Sequence, residues 1–321
     1  MPCLNYGLNQ KILIFRCRSC VVLEMNFPVK PNDSDCCNSG CNPCIFDVYE
    51  AQLKKYKNFQ IISEKRNCIT STSYTVFKLL NIEKHTTDSY LYTFEYVHSN
   101  SNDSQCEKDK LTLFYEPGQY FLLKSPIDDG KSFCRAYTPI FIEDQPSLQF
   151  TIVVKIYENG KMSKYLKLLE KGSETLWRGP YGDFRVNFSW KNILFIAQGT
   201  GIAPVYSILC AMLENEECYT VINLSFCCTI DNIILHDKIY SLAHYWNFKY
   251  ELFISNPTNK TFSKKYNEIV HNCKLKKCNI ESFIKSAKNI KFIICGSELF
   301  SESIQQILVE SDIKQIDIIV L

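Results

Sequence analysis

The sequence predicts an antiparallel β-barrel over residues 70–188 followed by an α/β domain on a parallel sheet over 189–321, behind a small cysteine-rich appendage at 28–60 and an N-terminal segment at 1–27. Three observations predict this order. Short alternating or β-branched runs succeed one another through the first half of the chain. From Trp190 onward strands alternate with helical stretches, the rhythm of a parallel sheet with crossover helices. Before either pattern begins, Cys36, Cys37, Cys41 and Cys44 crowd into one short segment.

The chain of 321 residues exceeds one ordinary domain of about 100 to 200 residues, so two cores are expected. With 46% hydrophobic and 22% charged residues it has the apolar side chains to fill them. A formal charge of only +2, from 36 basic and 34 acidic residues, lacks the broad basic field of a nucleic-acid binder. The 17 cysteines are odd in number and scattered, and no signal peptide precedes them, which favours reduced thiols in a cytoplasmic or mitochondrial setting. The stretch 11–23 is interrupted by Arg16 and Arg18, too short and too charged for a transmembrane helix. It suits a membrane-peripheral contact, or a transit peptide with three basic residues and the single acid Glu24 in its first 25 positions.

Within the appendage, residues 47–59 are expected to form a helix. Strands are expected at 74–82, 90–97, 119–124, 136–142 and 148–156, with a polar loop at 99–110 and a turn at Glu116-Pro117-Gly118. Such a series suggests a barrel. The second half reads as strand 193–197, a glycine turn, helix 203–213 and strand 220–226. It continues as helix 235–245, strand 250–254, helix 280–287, strand 292–295 and a last helix and strand.

Five short motifs carry chemistry. Arg135-Ala136-Tyr137-Thr138-Pro139 offers a guanidinium for a pyrophosphate, a ring to lie against a flat cofactor and a hydroxyl. By strand alternation Arg135, Tyr137 and Pro139 share one face while Thr138 points elsewhere. Gly160-Lys161-Met162-Ser163 resembles a glycine turn entering a helix near Ser163, whose free N–H groups attract phosphate. Arg178-Gly179-Pro180-Tyr181-Gly182 closes the β-rich half. Gly199-Thr200-Gly201-Ile202-Ala203-Pro204 lies between strand and helix, where glycine admits a pyrophosphate and proline suits a first helical turn. Cys295-Gly296-Ser297-Glu298 ends a later strand, where open parallel sheets bind ligands. Taken singly these also read as a surface arginine, a plain N-cap, a linker, an incomplete glycine fingerprint and an inert core cysteine.

Taken in order, they resemble the NADH-cytochrome b5 reductase branch of the ferredoxin-NADP reductase superfamily over residues 70–321. The stretch 227–235 is similar to that family's loop and helix after its second nucleotide strand. The resemblance implies an FAD-binding barrel and a nicotinamide-dinucleotide-binding sheet domain with the flavin between them. It implies that Arg135, Ala136, Tyr137 and Thr138 hold the flavin, that Val153, Val154 and Lys155 touch it through backbone, and that Gly160, Lys161, Met162 and Ser163 bind FAD phosphates. Gly199, Thr200 and Gly201 would face the dinucleotide, with Cys295 and Gly296 near the nicotinamide. Thr138 and Cys295 stand nearest the reaction, Cys295 as a shaping residue and not a nucleophile. The implied activity is NADH-cytochrome b5 reductase-like: NADH, with NADPH open, reduces FAD, which passes electrons singly to a haem protein such as cytochrome b5.

The chain departs from the family pattern in three places. Ser297-Glu298 replaces a Pro-Pro and brings a carboxylate toward the dinucleotide. The end is Ile319-Val320-Leu321 instead of an aromatic residue. Ser255-Asn256-Pro257 stands where NADH-preferring members carry an acid. The first two motivate a rival, a flavin- and nucleotide-binding regulatory protein with weakened turnover, and the third bears on NADH against NADPH. Lys30-Pro31, Cys36-Cys37, Cys41 and Cys44-Ile45-Phe46-Asp47 resemble the small oxidoreductase-like domain found alone or ahead of reductases. Zinc, iron–sulfur and inert-thiol readings stay open for its cysteines, and no metal ligand is assigned.

Overall fold

The computed structural model describes residues 66–98, 111–126, 132–255 and 263–321, with isolated positions between 28 and 54. The stretch 11–23, the loop at 99–110, Cys36, Cys37, Cys41, Asn256 and Pro257 lie outside the described residues, as does the second part of the helix expected at 47–59. Residues described between 46 and 54 are helical, and Asp47 Oδ2 accepts the backbone N–H of Cys44 at 3.0 Å.

The barrel comprises β2 (Thr75–Lys84), β3 (Ser89–Tyr96), β5 (Tyr120–Lys124), β6 (Cys134–Tyr137), β7 (Pro139–Ile140), β8 (Gln149–Lys155) and β9 (Glu174–Tyr181), with helix α1 (Lys161–Lys167) between the last two. A parallel pair, β1 (Arg66–Asn67) and β4 (Leu111–Thr112), stands apart. Strand order is β6-β5-β9-β2-β3-β8-β7, antiparallel throughout. Only Thr138 separates β6 from β7, so the two edges of the sheet belong to one run of chain and the sheet rolls onto itself. Alternation sends Phe77, Phe94, Phe121, Phe150 and Trp177 inward, each fully buried. Phe150 and Trp177 each lie 5.0 to 5.3 Å from Phe94, ring centre to ring centre, a spacing favourable for aromatic packing.

One expectation needs correction here. The run 136–142 is not one strand: it breaks at Thr138, because Pro139 has no N–H to continue the ladder, and pairing passes from β5 to β8. Helix α1 starts at Lys161, directly after Gly160 and close to Ser163 as the glycine turn suggests. Arg178-Gly179-Pro180-Tyr181 closes the β-rich half as the second part of its last strand, β9, instead of as a linker. Proline is tolerated inside it because Gly179 and Pro180 together oppose Phe121 in a β-bulge, between the pairs Tyr120–Tyr181 and Leu122–Arg178. A Cβ on Gly179 would lie 2.7 Å from the Phe121 ring, so the bulge requires glycine.

The second domain runs β10 (Asn192–Gln198), a tight turn at Gly199–Gly201, α2 (Ile202–Leu213), β11 (Val221–Thr229), α3 (His236–Leu242) and β12 (Phe248–Ser255). It continues β13 (Ile269–His271), α4 (Lys277–Ser286), β14 (Ile290–Cys295), α5 (Glu298–Glu310) and β15 (Ile318–Val320). The sheet is parallel, ordered β13-β12-β11-β10-β14-β15. Ile193, Phe195 and Ala197 pack with α2 and α3, while Leu194 and Ile196 join Ile280, Ile304 and Leu308 of α4 and α5. Both faces are thus covered, as a parallel sheet requires.

Helix α2 is buried nearly all round, since it packs on the sheet with one side and on the barrel with the other. The Ser207 hydroxyl donates to the Pro139 carbonyl at 2.7 Å across that junction. Barrel residues Leu91, Ile140 and Val153 share the same apolar cluster as the sheet. One cleft therefore opens between the domains, at the carboxyl ends of the parallel strands.

Candidate cofactor site between the domains

The order of the parallel strands reverses between β10 and β14, and ligands of open α/β sheets bind in the crevice at such a switch point. Two glycines bring the strand ends together. A Cβ on Gly201 would fall 2.4 Å from the Cys295 carbonyl oxygen, and one on Gly296 2.6 Å from the Phe300 ring. Gly199 has φ +55° and nothing within 4 Å of a Cβ position, so its backbone turns left-handed beside open space. Ser297 caps α5, accepting the Phe300 N–H at 3.4 Å, and its hydroxyl donates to Gln198 Oε1 at 2.9 Å, tying β14 to β10.

Facing these strand ends, the barrel contributes β6 to β8 and the start of α1. Arg135 is exposed and donates only to the neighbouring Cys134 carbonyl at 3.0 Å among its described hydrogen bonds. Burial pushes the Tyr137 hydroxyl pKa well above its ordinary value, so it stays neutral and available as a donor. Ser163 is buried, and its Oγ accepts the Tyr157 N–H at 3.0 Å, which fixes the loop entering α1. The first N–H groups of α1 have no intrahelical partner.

The two sides enclose a cavity of about 1120 Å³. Arg135, Ala136, Tyr137, Thr138, Val153, Lys155, Gly160, Lys161, Met162, Ser163, Gly199, Thr200, Gly201, Cys295 and Gly296 all line it. Val154 does not: its side chain is buried in the barrel core, the inward phase of β8. The carboxylate expected to approach the dinucleotide is also elsewhere. Glu298 is not among the lining residues and sits in the first turn of α5, where an acid complements the helix dipole.

Sequence reasoning missed Tyr120, Tyr157, Asn232 and Lys274, which line the same cavity. Tyr120 carries a readable clue, an aromatic directly after a Gly-Gln turn. Asn232 and Lys274 lie on loops without periodicity, and only tertiary folding brings them there. Asn232 Oδ1 accepts the Thr86 hydroxyl at 2.7 Å and the Asp88 N–H at 3.4 Å, so the residue also joins the domains.

Electrostatics favour anionic ligands. Arg135, Lys155, Lys161 and Lys274 line the cavity, and among the described residues no Asp or Glu side chain does. Of the four, Lys155 is partly neutralised by Asp88 at 3.4 Å. Burial pushes the Cys295 thiol up to about 12, so it is a neutral wall of the cavity and not a nucleophile. Cations, glycine cradles and a neutral tyrosine suit two phosphate-bearing, ring-carrying cofactors, so FAD and a dinucleotide fit the residues present.

Comparison with known proteins agrees with this geometry. Residues 97–186 match the oxidoreductase FAD-binding domain family, 195–306 the oxidoreductase NAD-binding domain family, and 25–62 the N-terminal family of oxidoreductase-like proteins. The human protein named NADH-cytochrome b5 reductase-like is 29% identical over 296 residues, covering 88% of this chain and 90% of its own length. Its mouse counterpart is 28% identical over 306 residues, covering 90% and 93%. Among solved structures, the cytochrome b5 reductase domain of Ulva prolifera nitrate reductase superposes with a TM-score of 0.65 at 20% identity, covering 80% of this chain and 100% of that one. The CS-b5R domains of human Ncb5or, in the NAD+ form, give 0.63 at 21% identity, covering 77% and 69%. The fold and the matched domains define an oxidoreductase with an FAD-binding barrel and an NAD-binding sheet domain. Within that class, the chain is similar over most of its length to the human and mouse proteins named NADH-cytochrome b5 reductase-like, and it carries an oxidoreductase-like segment ahead of the core.

Proposed function

We propose that the chain is a flavoprotein reductase that moves electrons from a reduced nicotinamide dinucleotide to a one-electron protein acceptor, cytochrome b5 or a similar haem protein. The observation that carries this reading is the cavity joining the β6–β8 wall of the barrel to the β10/β14 switch point, lined by cations and, among the described residues, by no acidic side chain. FAD, when bound, supplies the redox chemistry, accepting a hydride and releasing electrons one at a time.

The chain's own residues would bind and align. Arg135 and the first turn of α1 would hold the FAD phosphates, since guanidinium and free N–H groups both pair with phosphate oxygens. Tyr137, Thr138 and the backbone from Val153 to Lys155 would set the plane of the flavin. Gly199, Thr200 and Gly201 would admit the dinucleotide pyrophosphate. Cys295 and Gly296 would fix the height of the nicotinamide, because a side chain at Gly296 would strike Phe300. Alignment is the protein's contribution, as hydride transfer requires the rings in close register.

The rival reading, a nucleotide-binding protein with weakened turnover, drew on Ser297-Glu298 and on the altered C-terminus; the Glu298 carboxylate lies outside the lining, while Ser297 and Leu321 are part of it. The purified protein should be yellow and should bleach when mixed anaerobically with NADH or NADPH. An acceptor screen with cytochrome b5, cytochrome c and quinones would then identify the electron sink. A flavin that stays oxidised with either dinucleotide would sink the reading, and reduction without transfer to any haem protein would remove the proposed acceptor.

A further inference from the structure

Asn232 lines the cavity from the sheet domain, yet its side chain is held by the barrel. It follows β11 in a tight turn, its N–H donating to the Thr229 carbonyl at 3.0 Å. The tip of the β2–β3 hairpin reaches across to it, the Thr86 hydroxyl donating to Asn232 Oδ1 at 2.7 Å and the Asp88 N–H to the same oxygen at 3.4 Å. A backbone bond from the Thr87 N–H to the Asp231 carbonyl, also 3.4 Å, keeps the turn against the hairpin.

These contacts fix which way the amide faces. A backbone N–H can only donate, so the atom opposite Asp88 must be the carbonyl oxygen, and the amide nitrogen is turned away from the hairpin. That nitrogen carries two protons. One approaches the hydroxyl of Thr229, itself a lining residue, at 3.4 Å, and the other has no partner among the described residues.

The surroundings of this nitrogen suit an anion. Lys155 of β8 also lines the cavity, and its ammonium reaches Asp88 Oδ2 at 3.4 Å, so one hairpin residue touches cavity groups of both domains. Asp88 Oδ1 accepts the Ser89 hydroxyl at 3.2 Å, and neither Asp88 nor Asp231 lines the cavity. An ammonium, an amide N–H and a hydroxyl therefore border this corner, and a phosphate accepts from all three.

We propose that Asn232 donates an amide N–H to a pyrophosphate oxygen of the dinucleotide, and that Thr86, which is not among the lining residues, is the positioning residue that keeps the amide in that orientation. The contact rests on the dinucleotide placement given under Proposed function. An aspartate at this position could accept both hairpin bonds equally well, but it would turn a second, charged oxygen toward the phosphate. Joining the domains and meeting the ligand are therefore separable by one substitution.

The test titrates NAD+ and NADP+ into the oxidised, FAD-loaded full chain by calorimetry, with flavin content and thermal melting of each variant measured alongside. Asn232→Asp should keep FAD and weaken dinucleotide binding on the order of tenfold at low ionic strength, a loss that shrinks as salt screens the repulsion. Thr86→Val should weaken binding severalfold although its side chain is outside the cavity lining. It should add nothing in the Asn232→Asp background, where a charged oxygen faces the ligand whichever way the group turns. A brace that only held the domains together would give the opposite pattern, with Asn232→Asp neutral and Thr86→Val felt equally in both backgrounds. Asn232→Ala, without donor or charge, should bind less tightly than wild type and more tightly than Asn232→Asp, and it carries the test if the aspartate variant loses its flavin. Wild-type affinity in Asn232→Asp or Asn232→Ala would overturn the contact, and wild-type affinity in Thr86→Val would overturn its positioning role, with the dinucleotide site intact in each case. Binding of neither dinucleotide by the wild-type chain would overturn the contact together with the placement of the dinucleotide.

Discussion

Cys295 stands at the end of β14 with its thiol pushed up to about 12 by burial, and its carbonyl is the atom that a side chain at Gly201 would strike. Both facts make it a passive wall of the cavity, and on the proposed reading that wall would set the nicotinamide position. Cys295→Ala should therefore retain FAD while slowing its reduction, by up to about a hundredfold if the donor shifts by about 1 Å. Stopped-flow reduction of the loaded protein measures this, and a wild-type rate would leave Cys295 a packing residue only. Arg135 behaves differently because it is exposed and makes no described ion pair. Arg135→Ala should lower FAD retention by roughly tenfold to a hundredfold, the worth of a charged hydrogen bond, with little change in hydride transfer in protein that stays loaded. Flavin content after dialysis decides the matter, and undiminished retention would take Arg135 out of the flavin site.

At the scale of elements, the tip of the β2–β3 hairpin grips the loop before α3. Leu235 is buried and left-handed, with φ +58°, an uncommon state for a leucine, and its N–H donates to His85 Nε2 at 2.7 Å. His85 can accept that bond only when neutral. Burial holds its pKa below the ordinary 6.5; Lys238 acts in the same direction, against Glu83 and Asp237. The neutral form is thus favoured by folding. Its contribution is complete above 6.5 and is lost as pH falls from there through the folded value. Urea unfolding on either side of 6.5 should show a loss that His85→Gln, which accepts the same bond without titrating, shows less. The energy at stake is about 1 kcal/mol, one hydrogen bond. Identical pH slopes in the two proteins would rule the latch out.

The elements were also where sequence was most legible, and for physical reasons. Ile193 to Ala197 alternates between two covered faces, so its apolar run reads as a buried strand. Strand β9 escaped because Gly179 and Pro180, ordinarily signs of a turn, occupy a bulge whose partner Phe121 is remote in sequence. Lys274 and Asn232 escaped for a related reason: each reaches the cavity from a loop, and no local pattern records where a loop will come to rest.

At the scale of the whole molecule, the cavity lining begins at Gly118 and ends at Leu321, so both expected cofactors meet inside the two-domain core. The match to the oxidoreductase-like family at 25–62 lies outside that span. Cys44 is the one member of its cysteine group among the described residues, and its N–H is bound to Asp47 at the start of a helical stretch. Removing residues 1–60 should therefore leave FAD content and NADH-to-ferricyanide turnover nearly unchanged, while any metal held by the thiolates should disappear with the segment. Thiolate ligands must be deprotonated, so such metal should also leave the intact chain as pH falls. Metal analysis of the full and shortened proteins, run beside flavin reduction, separates the two roles. Loss of flavin reduction on truncation, with FAD still bound, would place the cysteine segment on the electron path and break the division between a catalytic core and its appendage.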